Sequence, residues 1–311
     1  MERKIATPIA RAVANKLGID INLVTGTGPQ GRVTEADVRA FAAAPAAKPA
    51  APATAAPAAT SAAPAAHVDV VSKPASVTLD GRREKITPIR NAIARAMKTS
   101  QASVAYFSLV NEIDVTRLWD LRKSIVEDVQ KATGVKLTFL PYIAKAIITA
   151  LKEFPIFAAK YDEAANEIVY PTTINLGIAV DTAAGLMVPV VKDAQNLTIV
   201  DLGKEIIRLA LAARDKKIKP NEMSGGSFTI TNYGSVGALF GTPVINWPEI
   251  SIAGVGAILD KPVVKNGQIV PGKVMNFTVA ADHRWIDGAA AGRFAARVKE
   301  LLEKPEILGV L

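Results

Sequence analysis

The chain has 311 residues, half of them apolar and a fifth charged, with 37 basic against 29 acidic side chains and a net charge of +8. That length and balance suit more than one soluble domain with at least one sizeable core. Cysteine is absent and histidine occurs twice, which excludes disulfides, thiolate metal sites and a cysteine nucleophile, and leaves no multi-histidine metal site.

The positive charge alone does not indicate nucleic acid, because the basic residues are not clustered among aromatics. Acidic partner proteins or a phosphate-bearing small molecule fit better. No apolar run is long enough to cross a membrane, and "YIAKAIITALKEF" reads as a buried amphipathic helix. The first residues lack a signal peptide's apolar core, so a cytoplasmic protein is expected.

Residues 1–42 predict a small helical module. Thr7 is a natural N-cap with Pro8 at the first helical position, and Gly18 ends that helix. Thr34 opens a second helix, with Asp37 approximating a capping box. Gly26, Gly28 and Gly31 satisfy G-x-G-x-x-G, but a helix precedes them and no βαβ unit surrounds them. A tight interhelical turn explains them.

Residues 43–80 are rich in alanine and proline, so a helix cannot propagate, and a tether reaching on the order of 100 Å is expected. His67 lies in it, which leaves His283 as the histidine available for chemistry.

Residues 81–311 alternate strand and helix signals as one mixed α/β domain. Thr87-Pro88 opens a helix toward Met97, Asp114 caps the next, and Thr138 opens one closed by Pro155. "TINLGIAV" and "GLMVPVV" read as two strands about "DTAAG", followed by a helix capped at Thr198. "GSFTITN", "EISIAGVGAIL", a hairpin turning at Asn266-Gly267, and "VMNFTVAAD" complete the strands. A helix from Asp287 to Glu303 finishes the domain.

"DHRWIDG" places His283 where that last strand ends and Asp287 where a helix N-cap belongs. Two readings stay open on these residues alone. His283 is a general base, or it makes a structural hydrogen bond beside an ordinary cap. Likewise Thr231 and Asn232 lie beside glycines, where they can stabilise an oxyanion or merely form a turn. A base with an oxyanion donor, and no cysteine, suggests direct acyl transfer to a thiol.

The arrangement resembles the dihydrolipoamide acyltransferases, the core components of 2-oxo acid dehydrogenase complexes. "ATPIARAVANKLGIDINLVTGTGPQGRVTEADVRAF" is similar to their peripheral subunit-binding domain, and "DHRWIDG" to their active-site H-x-x-x-D-G. "KLTFLPYIAKAI", "NLGIAVDTAAGLMVPV", "FTITNYGSVG" and "TPVINWPEISIAGVG" extend the match.

The resemblance implies a chloramphenicol-acetyltransferase-like catalytic domain, with a mixed β-sheet and flanking helices. It implies acyl transfer between dihydrolipoamide and coenzyme A, both substrates, most closely acetyl transfer in a pyruvate dehydrogenase complex. Succinyl and branched-chain transfer, a non-catalytic scaffold, and a stand-alone acetyltransferase are the alternatives. His283 is implied as the general base, Thr231 as the oxyanion stabiliser, and Asp287 in a supporting role held by an arginine, with Arg90 and Arg95 as candidates.

Arg11 and Arg32 match basic positions that contact dihydrolipoamide dehydrogenase and the 2-oxo acid decarboxylase. Asn15 falls where relatives can carry a further arginine. Trimers are implied, with His283 of one subunit facing Thr231 of its neighbour, assembled into a cubic or dodecahedral core. Two departures are visible. Ala105-Tyr106 stands where relatives often have Pro-His, and no lysine has the Asp-Lys-Ala hairpin context of a lipoyl domain. Lipoyl groups are therefore expected on a removed segment or on another chain.

Overall fold

A computed structural model of the chain describes residues 5–43 and 80–311, which fall into two compact units. The expected tether and His67 lie outside the described residues.

In the smaller unit, α1 (Pro8–Lys16) is capped as expected, Thr7 Oγ1 accepting from Ala10 N at 3.1 Å. The second helix, α2 (Glu35–Ala43), follows a glycine turn. A Cβ on Gly26 would lie 2.3 Å from the Gly31 carbonyl oxygen, so chain packing explains that glycine without any ligand. Asp37 does more than the expected capping box. Its carboxylate accepts from the backbone N–H and hydroxyl of both Thr27 and Thr34, tying the turn to α2. Those four donors hold the Asp37 carboxyl far below the ordinary carboxylate range, the Thr27 hydroxyl contributing most. Ala10, Ala14, Val24, Val33 and Val38 form the unit's small core.

The larger unit opens with α3 (Pro88–Ser103), capped by Thr87, and β1 (Tyr106–Asp114). Two helices follow, α4 (Thr116–Thr133) and α5 (Leu140–Glu153). Each starts one residue later than expected. Val115 occupies the α4 cap position, while the Asp114 carboxylate accepts from Thr116 N at 3.0 Å, and α5 begins after Phe139 without a side-chain cap. α5 is buried as expected, and more completely than one apolar stripe requires. Every residue from Pro141 to Leu151 is buried, so it is a helix surrounded by protein. Its Lys145 reaches the Leu197 carbonyl at 3.4 Å.

A short hairpin, β2 (Lys160–Asp162) with β3 (Glu167–Val169), comes next. The two strand-like runs about "DTAAG" are each broken. They give β4 (Leu176–Ile178), β5 (Val180–Thr182), β6 (Gly185–Met187) and β7 (Val190–Val191). Pro189 has no N–H to continue a ladder, and β5 and β6 leave the main sheet as a separate hairpin. The remaining elements are α6 (Ile199–Arg214), β8 (Phe228–Asn232), β9 (Ser251–Lys265), β10 (Gln268–Asp282) and α7 (Gly288–Glu303).

The main sheet has the order β1-β10-β9-β8-β4-β7, with β8 parallel to both its neighbours and the other pairs antiparallel. Asn266 and Gly267, with φ of +52° and +78°, make the expected tight turn between β9 and β10. Alternate residues of the central strands face two different clusters. Phe228, Ile230, Ala253, Val255, Val279 and Ala281 join the main core with α5, α6 and α7, where Phe157 stacks on Phe294 at 4.3 Å. Ile252 and Ala280 belong to a second, smaller cluster. Thr229, Thr231 and Thr278 alternate with the core-facing residues, which assigns them to that second face.

Candidate active site

Two places on the larger unit carry the expected chemistry. The first is the corner after β10. Asp282 is fully buried and receives a bidentate contact from Arg284, with Nε at 3.0 and 3.1 Å and one Nη at 2.6 Å. The same carboxylate also accepts from Arg284 N at 3.1 Å. This loop, held by residues two apart, fixes the backbone of the histidine between them. His283 N donates to the Ala105 carbonyl at 2.8 Å. The imidazole itself is exposed and lies against Phe107, ring centroids 4.3 Å apart. Among the described residues, neither ring nitrogen has a hydrogen-bond partner. Arg284 is held in the charged state by the hydrogen bond to Asp282, which raises its pKa above the ordinary value.

Asp287, four residues on, is the N-cap of α7, its Oδ1 accepting from Ala290 N at 2.6 Å. Neither Arg90 nor Arg95 pairs with it within the described residues. Arg90 lies beside Gly185, and Arg95 lines a shallow depression with Asn91, Ala94 and Lys98. Trp285 Nε1 is buried with no partner among the described residues, its ring 4.6 Å from that of Tyr161.

The second place is a cavity of about 420 Å³ on the face of β8 away from the main core. Thr229 and Thr231, placed on one face by the two-residue period of β8, line it in a row with Tyr233, which follows the strand's end. The outer two hydroxyls are tied inside the chain. Tyr233 Oη lies 2.8 Å from Thr278 Oγ1, and Thr229 Oγ1 lies 2.7 Å from Glu249 Oε2. The Tyr233 ring crosses the sheet over Gly254, where a Cβ would lie 2.6 Å from a ring carbon. Thr231 stands between them, and its hydroxyl has no partner among the described residues. Met97, Leu186, Val188 and Phe240 supply apolar walls.

The two places do not meet in one chain. Thr231 pairs with Gly254, which pairs with Thr278, and His283 lies five residues beyond Thr278. At ordinary strand spacings that is roughly 17 Å along the sheet and roughly 10 Å across it.

Sequence reasoning named His283, Thr231 and Asp287 but missed the residues that hold them. The Asp282–Arg284 clamp had a readable signal, opposite charges two apart around the histidine. Phe107 and Glu249 had none, because long-range pairing brings Phe107 against His283 and Glu249 against Thr229, the neighbour of Thr231 on its face. Arg11 and Arg32 are both exposed on the smaller unit.

The mixed sheet, the buried helices and the histidine corner define a class, and sequence comparison agrees with it. Residues 78–310 match the family model of the 2-oxoacid dehydrogenases acyltransferase catalytic domain, and the chain belongs to that family. Residues 4–39 match the E3 binding domain. Among particular relatives, the dihydrolipoyllysine-residue acetyltransferase component of the Staphylococcus aureus pyruvate dehydrogenase complex is 43% identical over 307 residues, covering 97% of this chain and 70% of the relative.

A solved structure of Azotobacter vinelandii dihydrolipoamide acetyltransferase superposes with a TM-score of 0.71 at 32% identity, covering 74% of this chain and 94% of that one. That work concerns the role of a serine, a histidine and an asparagine in the catalytic mechanism. The cubic core of a pyruvate dehydrogenase multienzyme complex gives the same score, identity and coverage. These structures bear out the expected acyltransferase fold. No helix among the described residues is long and apolar enough to cross a membrane.

Proposed function

We propose that the chain transfers acetyl groups between dihydrolipoamide and coenzyme A as the core component of a pyruvate dehydrogenase complex. His283 serves as general base and Thr231 as oxyanion donor. The observation that carries this is the row of Thr229, Thr231 and Tyr233 along β8 and the residue after it, all lining one cavity, of which Thr231 alone has no hydroxyl partner among the described residues. The Azotobacter vinelandii relative supports the assignment. Its histidine follows its serine by 52 residues and precedes its asparagine by four, the intervals that separate Thr231, His283 and Asp287.

In the reaction, a His283 ring nitrogen takes the proton of the incoming thiol, whose sulfur attacks the thioester carbonyl carbon. The carbonyl oxygen becomes an oxyanion and accepts a hydrogen bond from Thr231. The intermediate then collapses, the carbon–sulfur bond to the leaving thiol breaks, and that sulfur takes the proton back from the imidazolium. Asp287 keeps the helix start, and with it the His283 corner, in place.

The separation between His283 and Thr231 supports a site shared by two copies of the chain, and the likeness to a cubic core supports assembly of trimers into such a core. Residues 1–42 form the docking module, with Arg11 and Arg32 facing dihydrolipoamide dehydrogenase, the partner that the match to an E3 binding domain favours. The 2-oxo acid decarboxylase is the second partner of the same module. Coenzyme A and dihydrolipoamide are substrates, and the lipoyl groups come from outside residues 1–311.

A steady-state assay of acetyl-coenzyme A with free dihydrolipoamide tests the base. His283→Ala should lower turnover by at least about a hundredfold at unchanged assembly size. Near-native turnover in the assembled variant would refute the role.

A further inference from the structure

Behind the wall of the Thr231 cavity, bonded to two residues that line it, lies a carboxyl that the proposed chemistry does not use. Glu249 is 2% exposed and precedes β9 in the chain. Its Oε2 lies 2.7 Å from Thr229 Oγ1, and its Oε1 accepts from Asn246 Nδ2 at 3.1 Å. Thr229 and Asn246 both line the cavity. Gly226 packs so closely that a Cβ there would lie 2.8 Å from Oε1.

An amide nitrogen can only donate, so Oε1 is the acceptor oxygen and Oε2 is the one placed to carry a proton. The bond to Thr229 can run in either direction. If Glu249 is ionised, the threonine must donate to it and shows the cavity only lone pairs. If Glu249 is neutral, Oε2–H donates to Thr229 Oγ1, and the threonine's own hydrogen is released toward the cavity. Burial pushes the Glu249 carboxyl up to about 7, against the hydrogen bonds from Thr229 and Asn246 and the charge of Lys160. Lys160 is the charged group acting on it among the described residues, and the two backbones form an isolated bridge.

We propose that Glu249 is a positioning residue for substrate binding, which by donating its proton to Thr229 turns that hydroxyl into the cavity to donate to an amide carbonyl of a thiol substrate. The ligand class follows from the lining. Met97, Leu186, Val188 and Phe240 suit an alkyl chain, and a released hydroxyl suits the carbonyl of an amide borne on it. This deepens the acyl-transfer reading and rests on it for the choice of ligand. Dihydrolipoamide and coenzyme A are both alkyl amides ending in thiols.

The test is calorimetric binding of each thiol to the assembled full chain between about pH 6 and about pH 8, below most of the thiol's own titration. In the native protein, Kd for one of the two should rise about tenfold as pH passes through the Glu249 transition, the worth of one hydrogen bond. Which Kd moves identifies the substrate. Glu249→Gln, whose amide donates to Thr229 at every pH, should hold the tighter Kd throughout. Thr229→Val should show the weaker Kd at every pH.

PH-independent binding of both thiols in the native protein would overturn the proposal, as would an alkaline loss of binding that persists in Glu249→Gln. A second readout needs neither ligand nor turnover. The infrared carbonyl stretch of a neutral carboxylic acid should fade as pH rises through about 7 and be absent in Glu249→Gln, and no such band would equally overturn it. Loss of transferase activity with the band and the binding shift intact would instead count against the acyl-transfer reading.

Discussion

The His283 corner and the Thr231 cavity are built from opposite materials. At the corner a buried carboxylate is gripped by an arginine two residues away, and the His283 ring between them is pushed into solvent. In the cavity no ion pair takes part among the described residues. Three hydroxyl side chains along β8 and the residue after it share a pocket, the outer two hydrogen-bonded to other side chains and the middle one without a partner among the described residues. A base that must meet a mobile thiol needs access and a rigid backbone, which a charge clamp on a chain reversal provides. An oxyanion donor needs a dry, fixed hydroxyl, which a central strand provides. Each half is organised within one chain, and the register of β8, β9 and β10 holds them apart.

The sharpest way to break the corner without touching the cavity is Arg284→Ala. It leaves the fully buried Asp282 without its charged partner. Because Arg284 is itself partly in water, the expected cost is about 2–3 kcal/mol, below that of breaking a fully buried pair. Urea unfolding of the assembled protein measures it. A loss under about 0.5 kcal/mol, typical of a surface pair, would show that the clamp is ornamental.

Asp287 gives a smaller and more discriminating effect. Asp287→Ala removes the α7 cap and should cost about 1 kcal/mol, whereas Asp287→Ser keeps a capping oxygen and should recover most of it. Thermal melting follows the cap, and the acetyl-transfer assay follows the chemistry. If Asp287 acts only by holding the helix start, turnover returns with serine. Recovered stability with turnover still depressed would show that the carboxylate itself takes part.

What could be read from the sequence divides along the same line. The corner was legible because its parts are local. A strand, a histidine and a cap residue lie within six positions, and Asp287 does cap α7. The interhelical glycine turn and the Asn266-Gly267 hairpin were legible for the same reason. The cavity was legible only at Thr231, since Glu249 reaches Thr229 across 20 positions and Tyr233 reaches Thr278 across 45. Local signals also failed where tertiary burial overrides them. α5 is buried as read, but on every side rather than along one stripe, and the runs about "DTAAG" break where Pro189 and the separate β5–β6 hairpin intervene.

The central claim is that His283 and Thr231 work together across a boundary between copies of the chain, and mixing two dead variants tests it most directly. His283→Ala and Thr231→Val, each assembled alone, should be nearly inactive in acetyl transfer. Dissociated together and reassembled, they should regain activity in about one site in four, where a chain with the histidine meets a neighbour with the threonine. Mixed assemblies that stay as inactive as the separate variants would contradict the claim and require both residues to act within one chain.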